Sequence, residues 1–87
     1  MLDSLIAAGI TPWVTLFHWD LPSSLQDKTP TGAWLGNQTI VNLFNNYADF
    51  CFNTFGSKVK YWLTFNEAWT FTWLGYGSGV NAPGRCT

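Results

Sequence analysis

Charge is scarce in this sequence, and the distribution of what charge there is excludes one class of partner. Only 10% of the 87 residues are charged, and the formal net charge is −1. The basic residues are scattered along the chain, so no basic patch is available to neutralise a phosphate backbone. They are Lys28, Lys58, Lys60 and Arg85. We therefore expect no nucleic-acid partner.

Long apolar runs and targeting signals are also lacking. No stretch reaches the roughly 18 apolar residues that a membrane-spanning helix requires. The first residues carry no basic segment followed by a cleavage site, so they do not resemble a signal peptide. The helical pattern that begins at Leu2 suggests that Met1 need not be a true start. We expect no membrane partner.

Metal-binding residues are few. The cysteines, Cys51 and Cys86, show no C-x-x-C spacing, and His18 is the single histidine. This excludes a zinc site of the usual ligand set, and we expect neither metal nor cofactor. Cys51 is expected to be a buried thiol on a helix face.

The cellular compartment is left open, with a slight lean towards secretion. Cys86 lies in a Gly/Pro-rich stretch, and its disulfide partner could lie just beyond the sequence given. The segment Asn37-Gln38-Thr39 matches the N-glycosylation acceptor pattern, which has meaning only in the secretory pathway.

Apolar and aromatic residues are abundant. They include six tryptophans, and hydrophobic residues make up 47% of the chain. At this length a domain has only a modest core, so we expect one domain or less. The patterns predict a helix ending at Gly9 as a left-handed stop, a strand over Thr11–Trp19, a loop over 20–36, a helix over Asn37–Phe55, a strand over Val59–Phe65 and a rim loop over Trp69–Gly84 with a short helical turn near its start. The first strand has the composition of a strand buried on both faces, as in a parallel sheet. Two strands joined through a helix predict a parallel α/β unit, and such a unit cannot bury both faces of its sheet alone.

The helix over Asn37–Phe55 is predicted to be capped by Asn37 and terminated by Gly56. Its predicted apolar face is Ile40, Phe44, Tyr47, Ala48, Cys51, Phe52 and Phe55, and its predicted solvent-facing polar side is Asn42, Asn45, Asn46, Asp49 and Asn53.

Polar residues follow each predicted strand. His18 and Asp20 come after the first strand, and Asn66 and Glu67 after the second. In βα barrels catalytic residues gather at these strand ends. A carboxylic acid beside Trp and Phe is partly shielded from water, which favours the protonated form that an acid catalyst of glycoside cleavage needs.

Each of these residues also has a plainer interpretation. Glu67 could simply begin a helix, because acidic residues are favoured there. His18 could be a structural histidine, and Asp20 could begin a turn. From the residues alone, the prediction stops at a parallel α/β fragment with a polar rim.

Several exact strings go further. The segment GITPWVTLFHWDLP (residues 9–22) resembles the third barrel strand of glycoside hydrolase family 1, the β-glucosidases and their relatives. The resemblance continues in register through GAW (32–34), TFNE (64–67), LGY (74–76) and APG (82–84). It implies that residues 1–87 are an incomplete catalytic domain, namely strand three, helix three and strand four of a (β/α)8 barrel with their rim loops.

The resemblance also implies residue roles. It makes Glu67 the acid/base residue of a retaining β-glycosidase acting on terminal β-D-glycosides of the β-glucoside type. Asn66 then binds the 2-hydroxyl of a small β-glycoside or oligosaccharide, while His18 and Trp19 contact its other hydroxyls and ring. The family's nucleophile motif, Thr-Glu-Asn-Gly, does not occur here, so the chain alone is expected to be inactive.

Two positions depart from the family pattern. Ala68 stands where the family usually has Pro, and Ala33 where it usually has Gly; alanine adopts fewer backbone conformations than glycine, which restricts the path of that loop. The alternative function is a non-catalytic carbohydrate-binding or interaction fragment that uses its Trp-rich rim.

Overall fold

The computed structural model describes residues 1–28, 33–36 and 38–86. The helices and strands run in the order α1 (Leu2–Ala7), β1 (Trp13–Phe17), α2 (Ser23–Lys28), α3 (Gln38–Phe55), β2 (Tyr61–Phe65) and α4 (Ala68–Thr72). A 3-10 turn over Ala33–Leu35 precedes α3, and a π-helical turn over Trp73–Gly77 follows α4. Helix α1 ends at Ala7, and Gly9, two residues further on, has the left-handed φ of 76° that the predicted stop requires.

Strands β1 and β2 pair in parallel, as predicted. The register places Trp13 opposite Tyr61 and Phe17 opposite Phe65. The pairing continues one residue beyond β2, where the backbone N–H of Asn66 donates to the carbonyl of Phe17 at 2.8 Å. The carboxyl ends of both strands therefore lie side by side at one edge of the sheet.

Helix α3 forms as predicted, but three positions of its predicted apolar face, Tyr47, Phe52 and Phe55, are 46%, 44% and 37% exposed. Its buried residues are Ile40 and Cys51. Its predicted polar face is exposed throughout, at Asn42, Asn45, Asn46, Asp49 and Asn53. The predicted cap Asn37, which also begins the glycosylation pattern, lies outside the described residues.

Gly56 ends helix α3 for a different reason from the one the sequence suggests. No left-handed φ is needed there. Instead, a Cβ at this position would lie 2.3 Å from the carbonyl oxygen of Phe52, a distance that side chains do not tolerate. Glycine is required here because the backbone passes too close for a side chain, and not because the residue has a left-handed φ.

Aromatic rings form a cluster beneath the carboxyl ends of the strands. Phe17 meets Trp34 edge to face with 5.2 Å between ring centroids, and meets Phe71 at 5.0 Å. Phe44 of α3 stacks on Phe65 at 4.9 Å. This aromatic cluster joins β1, β2, α3, α4 and the 3-10 turn, so it fixes the base on which the strand ends rest.

Two predicted loops contain helices. The segment 20–36 holds α2 and the 3-10 turn. Helix α2 begins after Pro22, whose carbonyl accepts hydrogen bonds from the backbone N–H groups of Leu25 and Gln26. The segment after Glu67 holds α4 and the π-helical turn, where a single short turn is predicted. Both helices are short and lack a long apolar period, which is why the periodicity did not reveal them.

The strands are shorter than predicted, and they are only partly buried, as expected for a strand pair that cannot bury both faces of its sheet alone. Trp13 is 62% exposed and Leu63 is 47% exposed, whereas Leu16 and Phe17 are buried. Among the described residues each strand has only one neighbour, so one edge of each strand and much of the sheet surface stay uncovered. The radius of gyration is 15.3 Å, against about 12 Å for a compact domain of this length.

The described residues contain neither a membrane-spanning helix nor a cluster of metal ligands. No helix in this part of the chain is long and apolar enough to cross a membrane. No group of three or more His, Cys, Asp or Glu side chains is placed to hold a metal ion within the same ranges. Cys51 is buried, as predicted, and Cys86 is exposed; neither forms a disulfide with a described residue.

Candidate active site

The candidate residues lie where the two paired strands end. His18 and Trp19 directly follow β1, and Asn66 and Glu67 directly follow β2. Since Phe17 and Phe65 are opposite each other, Trp19 and Glu67 hold equivalent positions, each two residues past its strand. The structure thus brings all four predicted residues to one edge of the sheet.

One hydrogen bond ties the two strand ends together. The indole Nε1 of Trp19 donates to the backbone carbonyl oxygen of Asn66 at 2.9 Å. The residues are 47 positions apart in sequence. The bond therefore exists only because the parallel pairing has placed the two exits side by side.

The backbone at both exits is left-handed. Trp19 has a φ of 76° and Glu67 a φ of 47°. Residues with a Cβ rarely adopt this region, and for an L-residue it costs about 1–2 kcal/mol. Such conformations persist when surrounding contacts enforce them, and they concentrate at functional sites.

The carboxyl group of Glu67 is open to solvent. Glu67 and His18 are both exposed, and Asn66 is partly buried. The expectation that aromatic neighbours shield Glu67 from water is therefore wrong for this chain. The aromatic cluster lies beneath the strand ends, and no described residue covers the carboxyl group from above.

Glu67 also begins a helix, as the plainer interpretation proposed. It occupies the N-cap position of α4, but its side chain makes no capping hydrogen bond. Ala68 is the first residue of α4, where Pro is favoured because no backbone N–H is required. Alanine at this position leaves the helix start intact, and the Glu67 carboxylate makes no hydrogen bond to it.

Ala33 adopts the conformation for which glycine is suited. Its φ is 37° and its side chain is completely buried. The neighbouring Gly32 of the same motif lies outside the described residues. Ala33 places Trp34 against Phe17, so this loop contributes to the aromatic cluster under the site.

A cleft of about 240 Å³ opens beside Trp19. Its walls include Trp19, Trp34, Phe71 and Tyr76, but His18, Asn66 and Glu67 do not line it. It is smaller than most small-molecule pockets, which measure about 300–1,000 Å³. The cleft is therefore a neighbour of the strand-end residues and not their shared pocket.

Sequence reasoning missed one contact in the wall of this cleft. The Tyr76 hydroxyl donates to Oε1 of Gln26 at 3.1 Å and so joins α2 to the π-helical turn. Burial raises the pKa of the Tyr76 hydroxyl. The sequence signal for this contact is Pro22-Ser23-Ser24, a helix start within the segment 20–36, which the pattern predicts as a loop.

The fold and the placement of polar residues define the class. A parallel strand–helix–strand unit with polar side chains at both carboxyl ends is the repeating unit of α/β folds, in βα barrels and in open sheets alike. The family model described as glycosyl hydrolase family 1 matches residues 1–87, and the chain belongs to that family. This confirms the resemblance seen in the sequence.

Curated relatives agree with this assignment. The lactase/phlorizin hydrolase of Homo sapiens is 55% identical over 84 residues, covering 97% of this chain and 4% of that protein. Beta-glucosidase 24 of Oryza sativa subsp. japonica is 52% identical over 87 residues, covering all of this chain and 17% of that protein. The chain therefore spans only a small part of the length of these relatives.

Solved structures confirm the predicted fold. A rice β-glucosidase superposes with a TM-score of 0.88 at 48% identity, covering 99% of this chain and 17% of that one. A Glu-to-Gln mutant of the same rice enzyme, in a covalent complex with glucose, gives 0.87 at 47% identity, with 98% and 17% covered. The chain corresponds to a segment of a (β/α)8 barrel.

Proposed function

We propose that residues 1–87 form part of the catalytic domain of a retaining β-glycosidase that hydrolyses terminal β-D-glycosidic bonds of the β-glucoside type. Membership of the family and relatives named β-glucosidases support the reaction class. The observation that carries the assignment is the position of Glu67. This residue, the only glutamate in the sequence, follows Asn66 at the carboxyl end of β2, and its carboxyl group makes no capping hydrogen bond to α4.

In the first step Glu67 acts as the acid. Its carboxyl proton moves to the glycosidic oxygen as the bond from that oxygen to the anomeric carbon breaks, and the aglycone leaves as a neutral alcohol. A nucleophilic carboxylate from another strand of the barrel forms an ester to the same carbon. In a retaining enzyme the two carboxyl groups are about 5–5.5 Å apart.

In the second step Glu67, now a carboxylate, acts as the base. It takes a proton from water as the water oxygen attacks the anomeric carbon and the ester bond breaks. The sugar leaves with its configuration retained, and Glu67 regains its proton. The covalent glucose in the mutant of the rice relative is consistent with an ester of this kind in that enzyme.

The other strand-end residues would hold the sugar. Asn66 donates to the 2-hydroxyl, a bond that strengthens as positive charge develops on the ring, so it contributes to rate as well as affinity. His18 bonds other hydroxyls, and the exposed ring of Trp19 contacts the C–H face of the sugar. The ligand is a small β-glycoside or oligosaccharide, and the chemistry requires no cofactor.

Replacing Glu67 by Gln in the complete barrel tests the proposal. We expect kcat/KM for alkyl β-glucosides, which need proton donation, to fall by about 100-fold or more. The value for 2,4-dinitrophenyl β-glucoside should fall far less, because this leaving group departs without a proton. Azide should accelerate turnover of the aryl substrate and yield the β-glycosyl azide, since azide attacks without a base.

Asp49→Asn is the matched control. Asp49 is an exposed carboxylate on the polar face of α3, hydrogen-bonded to Asn45 at 3.5 Å. This change removes the same charge far along the chain from the strand ends, and both substrates should be turned over normally. Equal losses on the two substrates in Glu67→Gln would contradict the acid role.

A further inference from the structure

We infer that Trp19 is a positioning residue that orients the carboxyl group of Glu67 through the Asn66 backbone. The inference rests on the proposed function, since it concerns the same acid/base group. In this role the indole N–H of Trp19 bonds to the protein backbone, and the face of its ring is left to contact the sugar.

The Asn66 backbone is held from both sides by the end of β1. Its N–H donates to the carbonyl of Phe17 at 2.8 Å, and its carbonyl accepts from the Trp19 indole at 2.9 Å. That carbonyl belongs to the planar peptide unit that joins Asn66 to Glu67. Fixing the plane therefore restricts rotation about the N–Cα bond of Glu67.

Glu67 needs this external restraint. Its φ of 47° and ψ of 60° are left-handed values, which residues with a Cβ adopt only under constraint. Its own side chain supplies none, because it makes no capping bond at the start of α4. On the other side of the residue, the Glu67 carbonyl accepts from the N–H of Phe71 at 3.2 Å, as the first helical bond of α4. The Trp19 bond thus acts on the one side of Glu67 that α4 does not control.

Trp19 is itself placed for this contact. It has a φ of 76°, and the equivalent positions of Trp19 and Glu67, each two residues past its strand, bring its indole to the Asn66 carbonyl. The residue remains 42% exposed while its N–H is engaged. A sugar can therefore rest on the ring, but the indole N–H cannot donate to a sugar hydroxyl without releasing Asn66.

The consequence for catalysis is selective. Without the indole N–H, the peptide before Glu67 can rotate and the carboxyl group leaves its productive position. Only steps that need a well-placed proton donor are slowed. A tryptophan that merely contacts the sugar would affect good and poor leaving groups alike.

The test removes the N–H and keeps the ring. In the complete barrel, Trp19 is replaced by 3-(3-benzothienyl)alanine, an analogue with sulfur in place of the indole N–H, and separately by Phe. We expect kcat/KM for an alkyl β-glucoside to fall by about tenfold to a hundredfold in both variants, the scale that a small misplacement of a catalytic group produces. In the analogue variant, kcat/KM for 2,4-dinitrophenyl β-glucoside should fall far less than that for the alkyl β-glucoside, because no proton is needed, whereas an altered ring contact with the sugar lowers both values alike.

Trp62 provides the matched control. Its indole Nε1 also donates to a backbone carbonyl, that of Val59, at 3.2 Å. The same analogue at position 62 removes the same kind of bond away from the strand ends. Both substrates should then react at their normal rates.

The outcomes separate the two proposals. If Glu67→Gln is selective for the alkyl substrate but the Trp19 analogue is not, the positioning role is overturned and the acid role survives. If Glu67→Gln itself is unselective, the proposed function fails. No loss at Trp19, or equal losses on both substrates in the analogue variant, overturns the inference. A crystal structure of that variant in which Glu67 keeps its φ would do so as well.

Discussion

Tyr47 of helix α3 donates its hydroxyl to the carbonyl oxygen of Leu16 in strand β1 at 2.8 Å. The two residues are 31 positions apart. The bond reaches the strand next to Phe17, the residue on which the aromatic cluster converges. The bond therefore fixes the position of α3 relative to the end of β1, the point after which His18 and Trp19 follow.

Tyr47→Phe should destabilise the complete barrel by about 1 kcal/mol, the usual net value of such a bond. Denaturant unfolding measures the change. Tyr61→Phe, which keeps its ring stacked on Trp13 at 4.4 Å, is the control. Equal stability of the Tyr47 variant and the parent would show that the bond contributes nothing.

The same residue should give the stability a dependence on alkaline pH. Desolvation raises the pKa of the Tyr47 hydroxyl above its ordinary value of 10.0, and a hydrogen bond with Cys51 raises it further. The folded state thus holds this proton more tightly than the unfolded state. The contribution is complete below pH 10 and is lost as the pH rises through the higher folded pKa. Tyr47→Phe should remove this part of the pH dependence.

Phe17→Ala should cost about 3–5 kcal/mol, the range for removing a buried aromatic ring. Phe17 is only 5% exposed and packs edge to face against Trp34 and Phe71. Phe50→Ala is the control, because Phe50 is 63% exposed on α3. Thermal or denaturant unfolding that ranks the two changes in reverse order would contradict the proposed role of the cluster.

Ala33→Gly should change the free energy of unfolding by less than about 1 kcal/mol. Relief of the left-handed strain gains about 1–2 kcal/mol, but the lost methyl burial and the extra freedom of the unfolded chain offset it. Ala33→Val should be destabilising by about 2 kcal/mol or more, because a β-branched residue fits neither the φ of 37° nor the filled space. If the two variants were equally stable, the assigned backbone conformation would be wrong.

The 87-residue chain by itself should neither melt cooperatively nor hydrolyse glycosides. Trp13, Leu63 and Trp69 are 62%, 47% and 75% exposed, and much of the surface of the strand pair is uncovered. Such a surface binds hydrophobic dyes and promotes association. Circular dichroism melts, dye binding and a glycosidase assay check this. A sharp melt without turnover would instead favour the non-catalytic binding fragment.

Much of the fold could be read from local patterns. The periodicity of α3 placed Ile40 and Cys51 inside and the asparagines outside. The β-rich runs located both strands, with boundaries that the structure shortened by two residues at each end of β1. The patterns failed where elements are short: α2 and α4 have too few residues for a period to emerge, and hydrogen bonds to Pro22 and Glu67 define their starts.

The candidate site, too, could be predicted from the sequence only in part. Asn66 and Glu67 could be found because polar residues at the end of an apolar strand are conspicuous, and the string TFNE made their proposed roles specific. The bond between Trp19 and Asn66 could not be found, because it joins residues that only the strand pairing brings together. The solvent exposure of Glu67 was likewise hidden, since it depends on which elements lie above the strand ends.

The amino-acid sequence alone determined the order of the main elements, the family and the residues proposed for chemistry, because these depend on residue type and spacing. The tertiary structure decided how those residues are held: the left-handed turns at Trp19 and Glu67, the shared bond through Asn66, and the aromatic cluster beneath them. Each of these is a balance between a local conformational cost and contacts from distant parts of the chain. Local patterns do not contain that balance.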